Sequence, residues 1–445
     1  MAALNSDTRS SSRVAAIALT LALLGSASML YYHVGLFLPR SLELRGSLGL
    51  GNGYAFGDDF YPVWLTERAW RTEHRDPYSP EMTRQIQTGL FGRPLDPRNP
   101  SDPPADYREF AYPAFTLVIF WPTAALDFPD LRVVLAVLLP LITAASFWLW
   151  LRALHWPVRS IWIAVLTALG LCNYQILEAL FAEQPGLIVG FLLAAGALAL
   201  RRNRNSLAGI LMALTLIKPQ MTVLAILFLL LWSFSDRRRA GFWIGFLSTT
   251  LFLVSDSLWI WPHWIGQWLK VLLGYHRYAT PPLVALLPGA TLGPFFGSVA
   301  IVVLLGVSSA WAWRGRLANA EDPSFWLTLS WLLAITSVTL LPGQAIYDHV
   351  ILLPGIFLLL RHWRELREAG LVPRTLLPVG ALILFWPWAA AFGLIVMRPW
   401  LTPGVFESPA VFALPIRTAA SLPFAALALL AYAKKLNLAG NQEAA

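Results

Sequence analysis

The chain has 445 residues, of which 57% are hydrophobic and 13% are charged, and it carries a formal net charge of +8. This composition is too apolar for a soluble globular protein. The arginines stand in short loops between apolar segments, where they orient a membrane protein, so the positive charge does not indicate nucleic-acid binding.

Apolar segments recur from residue 14 to residue 433 and predict an all-α polytopic membrane protein. A bilayer core of about 30 Å needs roughly 20 helical residues per crossing, and a helix satisfies its own backbone hydrogen bonds. Loops rich in Arg and Lys are expected in the cytoplasm, and alternation between them gives twelve crossings with both termini cytoplasmic. The predicted crossings are residues 14–38, 131–151, 160–177, 185–200, 206–217, 219–234, 240–257, 294–313, 323–341, 346–361, 374–396 and 411–433.

Two apolar segments need separate interpretation. Residues 14–38 follow Arg9 and Arg13 in the manner of a signal peptide, but they are long and lack a convincing cleavage site. We therefore interpret them as a retained first helix. Residues 111–126 are apolar but short, and a full crossing there would place all later basic loops outside. We predict a partial dip into the membrane, with a thirteenth crossing as the alternative.

The crossings form a single membrane domain, residues 1–445, with two extracytoplasmic insertions. The first is the large loop of residues 39–111, the predicted catalytic loop, in which aromatic and charged residues alternate as in a short amphipathic helix on the membrane surface. A Pro-rich stretch near its end excludes regular structure. The second insertion, residues 258–293, is rich in Trp and Tyr, which either anchor a protein at the interface or stack against a substrate.

Two adjacent carboxylates, Asp58 and Asp59, stand beyond the first predicted helix. They can cap the helix that follows, because an Asp at such a position satisfies unpaired backbone N–H groups. Alternatively, one of them is a general base. An unperturbed Asp has a pKa of about 3.9, and a neighbouring carboxylate raises the pKa of one member toward the range useful to a base. An acid pair at the membrane rim can thus deprotonate a hydroxyl group.

Lys218 interrupts the apolar run from Leu207 to Trp232, whose two flanking basic clusters are both predicted to be cytoplasmic. The run must therefore turn back at Lys218-Pro219 as a hairpin. Its first arm has about 12 residues, or about 18 Å of helix, and ends within the bilayer. A lysine there costs about 3 kcal/mol, so it should face a partner or a wet cavity. A phosphate is the expected partner, and snorkelling to the outer interface is the alternative.

Two further polar groups fall at the outer ends of helices under the same alternation. They comprise Glu183, Gln184, Gln344, Tyr347, Asp348 and His349. Together with the acid pair and Lys218, they are expected to converge on one face of the membrane domain. His349 beside Asp348 also suggests a metal site or purely structural roles, but no spacing such as H-x-x-x-H supports a metal.

These residues occur in an order that resembles the GT-C membrane glycosyltransferases, and most closely glycosyltransferase family 87, the polyprenyl-phosphate-mannose-dependent mannosyltransferases and their relatives. The resemblance spans residues 14 to about 362. It rests on Asp59-Phe60, Asp76-Pro77-Tyr78 about 17 residues further on, Phe110 with Tyr112-Pro113, Lys218-Pro219 and Tyr347-Asp348. The chain departs from the family pattern at Glu183, where a Gly usually precedes the Gln, and at Ala114, where a second Pro is usual.

The resemblance implies a GT-C-like fold and an inverting hexosyltransferase, with mannose as the expected sugar. The donor would be a polyprenyl-phosphate sugar in the lipid bilayer and the acceptor a glycolipid or glycan, on the extracytoplasmic side of the cytoplasmic membrane. No cofactor is implied. The family's loop aspartate, its proposed base, maps onto Asp59, with Asp58 as a neighbour. Positive charge from Lys218 and the loop arginines would stabilise the departing phosphate. The residues expected to bind substrate are Lys218, Gln184, Glu183, Tyr347, Asp348, His349, Arg68, Arg71 and Tyr112.

Two other functions remain open from the residues alone. Intramembrane Lys, Glu and Asp residues also mark the substrate pathways of secondary transporters, although the inverted repeats usual in transporters are not apparent. A non-catalytic scaffold for cell-envelope assembly is the third hypothesis. The sequence has no G-x-G-x-x-G turn for a nucleotide, which fits a lipid-linked donor better than a nucleotide sugar.

Overall fold

The computed structural model describes residues 8–47, 49, 57–104, 107–275, 279–286, 292–343 and 345–435. Within these residues every regular element is a helix, so the predicted all-α class is confirmed for the described part of the chain. Helices are the expected solution for apolar segments, because a bilayer offers no water to pair with exposed backbone groups. Gln344 and the C-terminal residues 436–445, which enter the sequence predictions, lie outside the described residues.

The first helix is longer than predicted. Helix α1 (Thr8–Tyr31) continues through a π-helical segment, Tyr32–Phe37, into α2 (Leu38–Ser47). The first part of the predicted loop is therefore still helical. The apolar run contains no proline before Pro39, which explains why one long rod forms here, and Pro39 itself is tolerated in the first turn of α2.

The remainder of the first loop holds two short helices, α3 (Tyr61–Glu73) and α4 (Pro80–Phe91). Helix α3 is the amphipathic helix that the sequence predicts. Helix α4 was not predicted, although its ends carry the usual signals: the Ser79 hydroxyl accepts a hydrogen bond from the Met82 N–H, and Gly92 ends the helix in the left-handed region. The Pro-rich residues 93–104 form no helix, as predicted.

The segment predicted to dip into the membrane forms helix α5 (Phe115–Phe120) and a 3-10 turn, Trp121–Ala125. It is one of the apolar helices that are too short to span a bilayer. Both of its ends lie against the first loop: the Tyr112 carbonyl accepts a hydrogen bond from the Tyr78 hydroxyl, and the Leu126 carbonyl accepts one from Trp64 Nε1. This arrangement favours the partial dip over a thirteenth crossing.

The helical bundle begins after this segment, and several of its helices open with a proline, whose missing N–H costs nothing at that position. Its first part comprises α6 (Phe128–Ala153), α7 (Ser160–Leu171), α8 (Tyr174–Phe181), α9 (Pro185–Arg201), α10 (Asn205–Leu214), α11 (Val223–Phe234) and α12 (Ala240–Ile260). Its second part comprises α13 (Trp264–Tyr275), α14 (Pro282–Ala285), α15 (Leu292–Gly315), α16 (Pro323–Thr339), α17 (Leu353–Arg361), α18 (Trp363–Glu368), α19 (Leu371–Met397), α20 (Pro403–Phe406), α21 (Pro409–Phe412) and α22 (Leu422–Lys435).

Six helical segments of the described residues are long and apolar enough to cross a membrane, and a seventh is counted if α7 and α8, bent by 62°, form one span. The six segments are Arg13–Leu44, Phe128–Ala153, Arg237–Ile260, Gly293–Gly315, Leu371–Trp400 and Leu414–Lys435. The chain is therefore a polytopic membrane protein. The remaining predicted crossings coincide with shorter or broken helices, so the count of twelve stays a prediction.

The core of the bundle surrounds helix α16, which is buried on every side from Phe325 to Thr339. Helix α9 is buried nearly as completely. The long outer helices instead expose apolar side chains, such as Val133, Phe252 and Val302. Exposed apolar surface of this extent is expected to face lipid.

The basic loops meet at one end of the bundle, which we call the basic end. There, Arg201 Nη1 donates a hydrogen bond to the Ala320 carbonyl and Arg239 Nη1 donates one to the Arg316 carbonyl, both at 2.9 Å, while Arg361 donates one to the Leu154 carbonyl. These contacts join the end of α9 to the chain just before α16, the start of α12 to the end of α15, and the end of α17 to the end of α6. The basic loops thus lie together at one end of the packed bundle, as predicted from the distribution of charge along the chain.

Glu67, on α3, is a buried carboxylate outside the membrane-spanning segments, and neither of its oxygens has a hydrogen-bond partner within the described residues. Burial raises the pKa of Glu67 from 4.5 to about 7, although Arg71 opposes the shift. Because the folded protein holds this proton more tightly than the unfolded chain, stability is greatest below about pH 4.5 and falls as the pH rises to 7. We expect Glu67→Gln to raise the apparent melting temperature in detergent more at pH 8 than at pH 5.

The matched control for this prediction is Glu73→Gln, which removes an exposed carboxylate from the same helix. It is expected to leave the difference between the two pH values as it is in the parent protein. An equal gain for Glu67→Gln at both pH values would show that the carboxyl group does not titrate as described.

Candidate active site

Six polar side chains from distant parts of the chain meet at the end of the bundle opposite the basic end. They are Asp58, Asp59, Arg108, Gln184, Lys218 and Asp348, and we call them the polar cluster. Helices α9, α11 and α17 each run from the neighbourhood of this cluster to the basic end. The structure thus brings together the two acids, Gln184, Lys218 and Asp348, as the alternation of basic loops predicted.

The backbone of the first loop is attached directly to the end of α8. The Gly57 N–H donates a hydrogen bond to the Phe181 carbonyl at 2.8 Å, and the Asp59 N–H donates one to the Ala182 carbonyl at 3.1 Å. These bonds pair carbonyl groups that the helix end would otherwise leave without partners. They also place the Asp59 side chain beside Gln184, which follows α8 in the chain.

Only glycine suits position 57. Its φ is +80°, and a Cβ atom built there would lie 2.5 Å from Glu183 Oε2. A left-handed backbone and a contact this close both exclude an ordinary side chain. The glycine therefore allows the loop to approach the helix closely enough for the acid pair to enter the cluster.

Arg108 binds both members of the acid pair. Its Nη1 donates a hydrogen bond to Asp59 Oδ1, and its Nη2 donates one to Asp58 Oδ2 at 3.0 Å. One guanidinium thus balances two adjacent carboxylates whose repulsion would otherwise be large. Phe60, rather than either acid, holds the N-cap position of α3. The contacts of the acid pair with Arg108 show that its carboxylates take part in side-chain ion pairs.

Arg108 is not among the predicted site residues, because it lies among many arginines of the first loop. Two signals pointed to it: it stands two residues before Phe110 of the aromatic motif, and it adopts a positive φ of 63°. Non-glycine residues in this region cost about 1–2 kcal/mol and are enriched at functional sites. The sequence reveals the first signal, and only the structure reveals the second.

Gln184 joins the acid pair to the intramembrane lysine. Its Nε2 donates a hydrogen bond to Asp59 Oδ2, while its Oε1 accepts one from Lys218 Nζ at 3.0 Å. Lys218 also donates to Asp348 Oδ1 at 2.6 Å, and its Nζ lies 5.0 Å from the centre of the Tyr347 ring. The amide therefore connects two ion pairs into one hydrogen-bonded chain.

Lys218 and Asp348 are both buried, with 6% and 1% of their surfaces exposed. The hairpin predicted at Lys218-Pro219 is confirmed: α10 and α11 are separated there, and Asn205, where α10 begins, donates a hydrogen bond to the Arg238 carbonyl beyond the end of α11. The expectation that Lys218 faces a partner is also confirmed. That partner is the Asp348 carboxylate, so the lysine does not snorkel to an interface.

Glu183 lies beside the cluster, with Arg132 Nε 3.8 Å from its Oε1. It has a positive φ of 53°, a conformation in which glycine is favoured. This backbone explains why a Gly can precede the Gln in related sequences and why Glu183 is tolerated only with some strain. Burial raises the pKa of the Glu183 carboxyl to about 7, although Arg132 opposes the shift.

The two predicted tyrosines lie at the edge of the polar cluster. Tyr112 and Tyr347 are both close enough to Arg108 to interact with it electrostatically, as is Tyr275 from the second loop. His349 lies apart from the cluster: it is buried, and it lines a separate groove between α7 and α17. Tyr112 and Tyr347 thus border the cluster, whereas His349 does not.

Arg68 and Arg71 lie on α3 outside the polar cluster. Arg68 pairs with Asp127 at 2.6 Å, and Arg71 lies against the Trp121 ring at 5.4 Å. Both face the short dipping segment rather than the acid pair. The loop arginine that contacts the acid pair is Arg108.

The second predicted loop packs on the first. Gln267 Nε2 donates a hydrogen bond to Asp76 Oδ2 at 2.6 Å, and Trp268 Nε1 donates one to the Ala111 carbonyl at 3.1 Å. Trp70 and Trp261 also meet, with ring centres 4.8 Å apart. The tryptophans of α13 and its neighbourhood thus hold the two loops together, and Asp76 has a structural role in that contact.

The described residues contain no group of three or more His, Cys, Asp and Glu side chains arranged to hold a metal ion. The cluster contains a carboxylate pair, a third carboxylate at Asp348, an amide and two cations, all largely screened from solvent. Such a set can accept a proton from a hydroxyl group and stabilise an anion.

The fold and the cluster define a polytopic membrane protein with a polar site buried between its helices. The chain belongs to glycosyltransferase family 87: the model of this family matches residues 110–342, just over half of the chain. The matched region includes Tyr112, Gln184 and Lys218, whereas the acid pair precedes it and Asp348 follows it. No curated protein and no solved structure matches the chain.

Proposed function

We propose that this membrane glycosyltransferase transfers a hexose, with mannose the expected sugar, from a polyprenyl-phosphate donor to a glycolipid or glycan acceptor, with inversion at the anomeric carbon. Asp59 is the general base. The observation that carries the proposal is the position of the Asp59 carboxylate, which lies between Arg108 and Gln184 in a cluster that also contains Lys218.

Asp59 has room to accept a further hydrogen bond. A carboxylate has about four lone-pair sites, and Arg108 and Gln184 occupy one on each oxygen. The acceptor hydroxyl would donate to Asp59 and attack the anomeric carbon, while the bond from that carbon to the phosphate oxygen breaks. The proton goes to Asp59, and the electron pair of the broken bond leaves with the phosphate.

The two cations of the cluster suit this transfer of charge. As the reaction proceeds, Asp59 loses its negative charge and the departing polyprenyl phosphate gains one. Arg108, which binds both carboxylates, is then released from Asp59 and can pair with the phosphate. Lys218 stays ion-paired with Asp348 throughout the reaction. It would therefore offer the phosphate a hydrogen-bond donor and a positive electrostatic potential, but not an unpaired charge.

A lipid-linked donor agrees with the place of the site. The cluster lies at the end of the bundle away from the basic loops, and basic loops face the cytoplasm in membrane proteins. We therefore place the cluster on the extracytoplasmic side of the cytoplasmic membrane, within a GT-C-like domain of about twelve crossings. Nucleotide sugars are absent from that side, whereas a polyprenyl-phosphate sugar reaches it within the bilayer.

This orientation predicts the accessibility of two surface positions. In a background in which Cys172, the only cysteine, is replaced by Ser, we expect Arg84→Cys on α4 to react with a membrane-impermeant thiol reagent in intact cells. Arg202→Cys at the basic end should react only after the membrane is permeabilised. Labelling of both positions from the same side would overturn the orientation.

The reaction itself is tested with purified protein in lipid vesicles that contain polyprenyl-phosphate mannose radiolabelled in the sugar. Transfer of label from this donor to extracted cell-envelope glycolipids, and none from a labelled nucleotide sugar, is the expected result. A preparation that moves a sugar across the vesicle membrane but transfers none from any polyprenyl-phosphate donor would favour the transporter hypothesis instead.

A further inference from the structure

A groove of about 750 Å³ lies between α7 on one side and α17 and α19 on the other. Its volume is within the range of roughly 300–1,000 Å³ that ligand sites occupy. Its walls are mostly apolar, with Trp162, Leu166, Ile356 and Phe385 among the lining residues. None of the six residues of the polar cluster lines it.

The mouth of the groove is at the basic end and is cationic. Arg159, before α7, and Arg364, on α18, both line it and are both exposed. Trp156 and Trp363 stand beside them. Tryptophan and arginine together are typical of the level at which lipid headgroups lie.

The depth of the groove corresponds to one leaflet. From Arg159 to Gly170, along α7, the helix rises by roughly 16 Å, which is about half of a bilayer core of about 30 Å. At that depth the lining becomes polar: Gln175 Oε1 and His349 Nδ1 are buried there without a hydrogen-bond partner within the described residues. An acyl chain that enters at the mouth would therefore end before it reaches these two polar atoms.

We propose that this groove binds one anionic phospholipid from the leaflet at the basic end, with its headgroup at Arg159 and Arg364 and an acyl chain along α7. Charge complementarity selects the headgroup, and the depth selects a chain of one leaflet. The groove is distinct from the polar cluster, because none of the six cluster residues lines it. The inference does not depend on the proposed function.

The experiment uses protein reconstituted in vesicles of phosphatidylethanolamine and phosphatidylglycerol, then extracted gently for native mass spectrometry. We expect the parent protein to retain one phosphatidylglycerol in preference to phosphatidylethanolamine. The double variant Arg159→Gln with Arg364→Gln should weaken this retention roughly 30-fold, since each basic residue near an anionic headgroup contributes about a factor of five. Ile356→Trp, which fills the groove, should abolish it.

Matched controls remove the same charge or add the same ring elsewhere. Arg202→Gln with Arg237→Gln removes two exposed arginines of the basic end that do not line the groove, and Val133→Trp adds the ring to an exposed surface of α6. Both are expected to retain the phospholipid as the parent does. If Ile356→Trp fails to fold, Leu166→Phe fills the groove from its other wall.

Three outcomes would overturn the proposal. The first is retention of phosphatidylglycerol at the parent level in both the arginine and the groove-filling variants. The second is equal retention of the zwitterionic and anionic lipids by the parent. The third is that added polyprenyl phosphate displaces phosphatidylglycerol, and that the protein's binding of polyprenyl phosphate is lost in Ile356→Trp but kept in the arginine variant. The groove would then be part of the donor site.

Discussion

Asp59→Asn is expected to lose sugar transfer while the chain still folds and inserts. The amide has the same shape and can still accept a hydrogen bond from Arg108 through its carbonyl oxygen, but it cannot take a proton from the acceptor hydroxyl. Loss of a general base typically costs 10²- to 10⁴-fold in rate. The measurement is the rate of transfer from polyprenyl-phosphate mannose in vesicles, with the amount of folded protein determined by size-exclusion chromatography.

Asp58→Asn is the matched control, because it removes the adjacent charge and the other contact of Arg108. Its loss should be milder, since Asp59 is the acid that Gln184 links to Lys218. Equal loss in the two variants would show that the pair acts only by holding Arg108. Full activity in Asp59→Asn would remove it as the base.

Lys218→Met is expected to impair both donor binding and stability. The variant keeps the apolar stem but leaves the Asp348 carboxylate buried without its cation, which typically costs about 3–5 kcal/mol. If Lys218 also helps to hold the donor phosphate, loss of a charge-assisted hydrogen bond worth roughly 1.5–3 kcal/mol should weaken donor binding about 10- to 150-fold. Thermal unfolding and binding of polyprenyl phosphate measure the two effects separately.

The double variant Lys218→Met with Asp348→Asn separates these roles. Because it removes both charges, it should recover most of the lost stability. Donor binding should stay weak if the lysine contributes to the phosphate site. Recovery of donor binding together with stability would mean that Lys218 only balances Asp348, and the phosphate site would then be centred on Arg108.

The place of the principal residues was predictable from the pattern of charges. The basic loops are expected on one side of the membrane, so the ends of apolar segments that lie midway between two basic loops must be on the opposite side. Gln184, Lys218 and Asp348 each occur at such an end. That argument needs no knowledge of packing. It also predicted the hairpin at Lys218, because two basic clusters on the same side require the chain between them to return.

The pattern could not predict contacts between side chains. It offered a phosphate as the partner of Lys218, whereas the structure pairs this lysine with Asp348. It assigned positive charge to Arg68 and Arg71, whereas the guanidinium at the acid pair belongs to Arg108. All three arginines stand in the same loop, and only the path of the chain after α4 determines which of them reaches Asp59.

By itself, the sequence determined that this is an all-helical membrane protein, which ends of its segments share a side, and, through the order of its motifs, the family to which it belongs. These properties depend on the hydrophobicity of whole segments and on the balance of charge between loops, which add up along the chain. The tertiary structure alone decided that one amide links two buried ion pairs, that position 57 admits only glycine and that α7 stands apart from α17. These depend on distances between residues far apart in the chain, where a shift of an ångström makes or breaks a hydrogen bond.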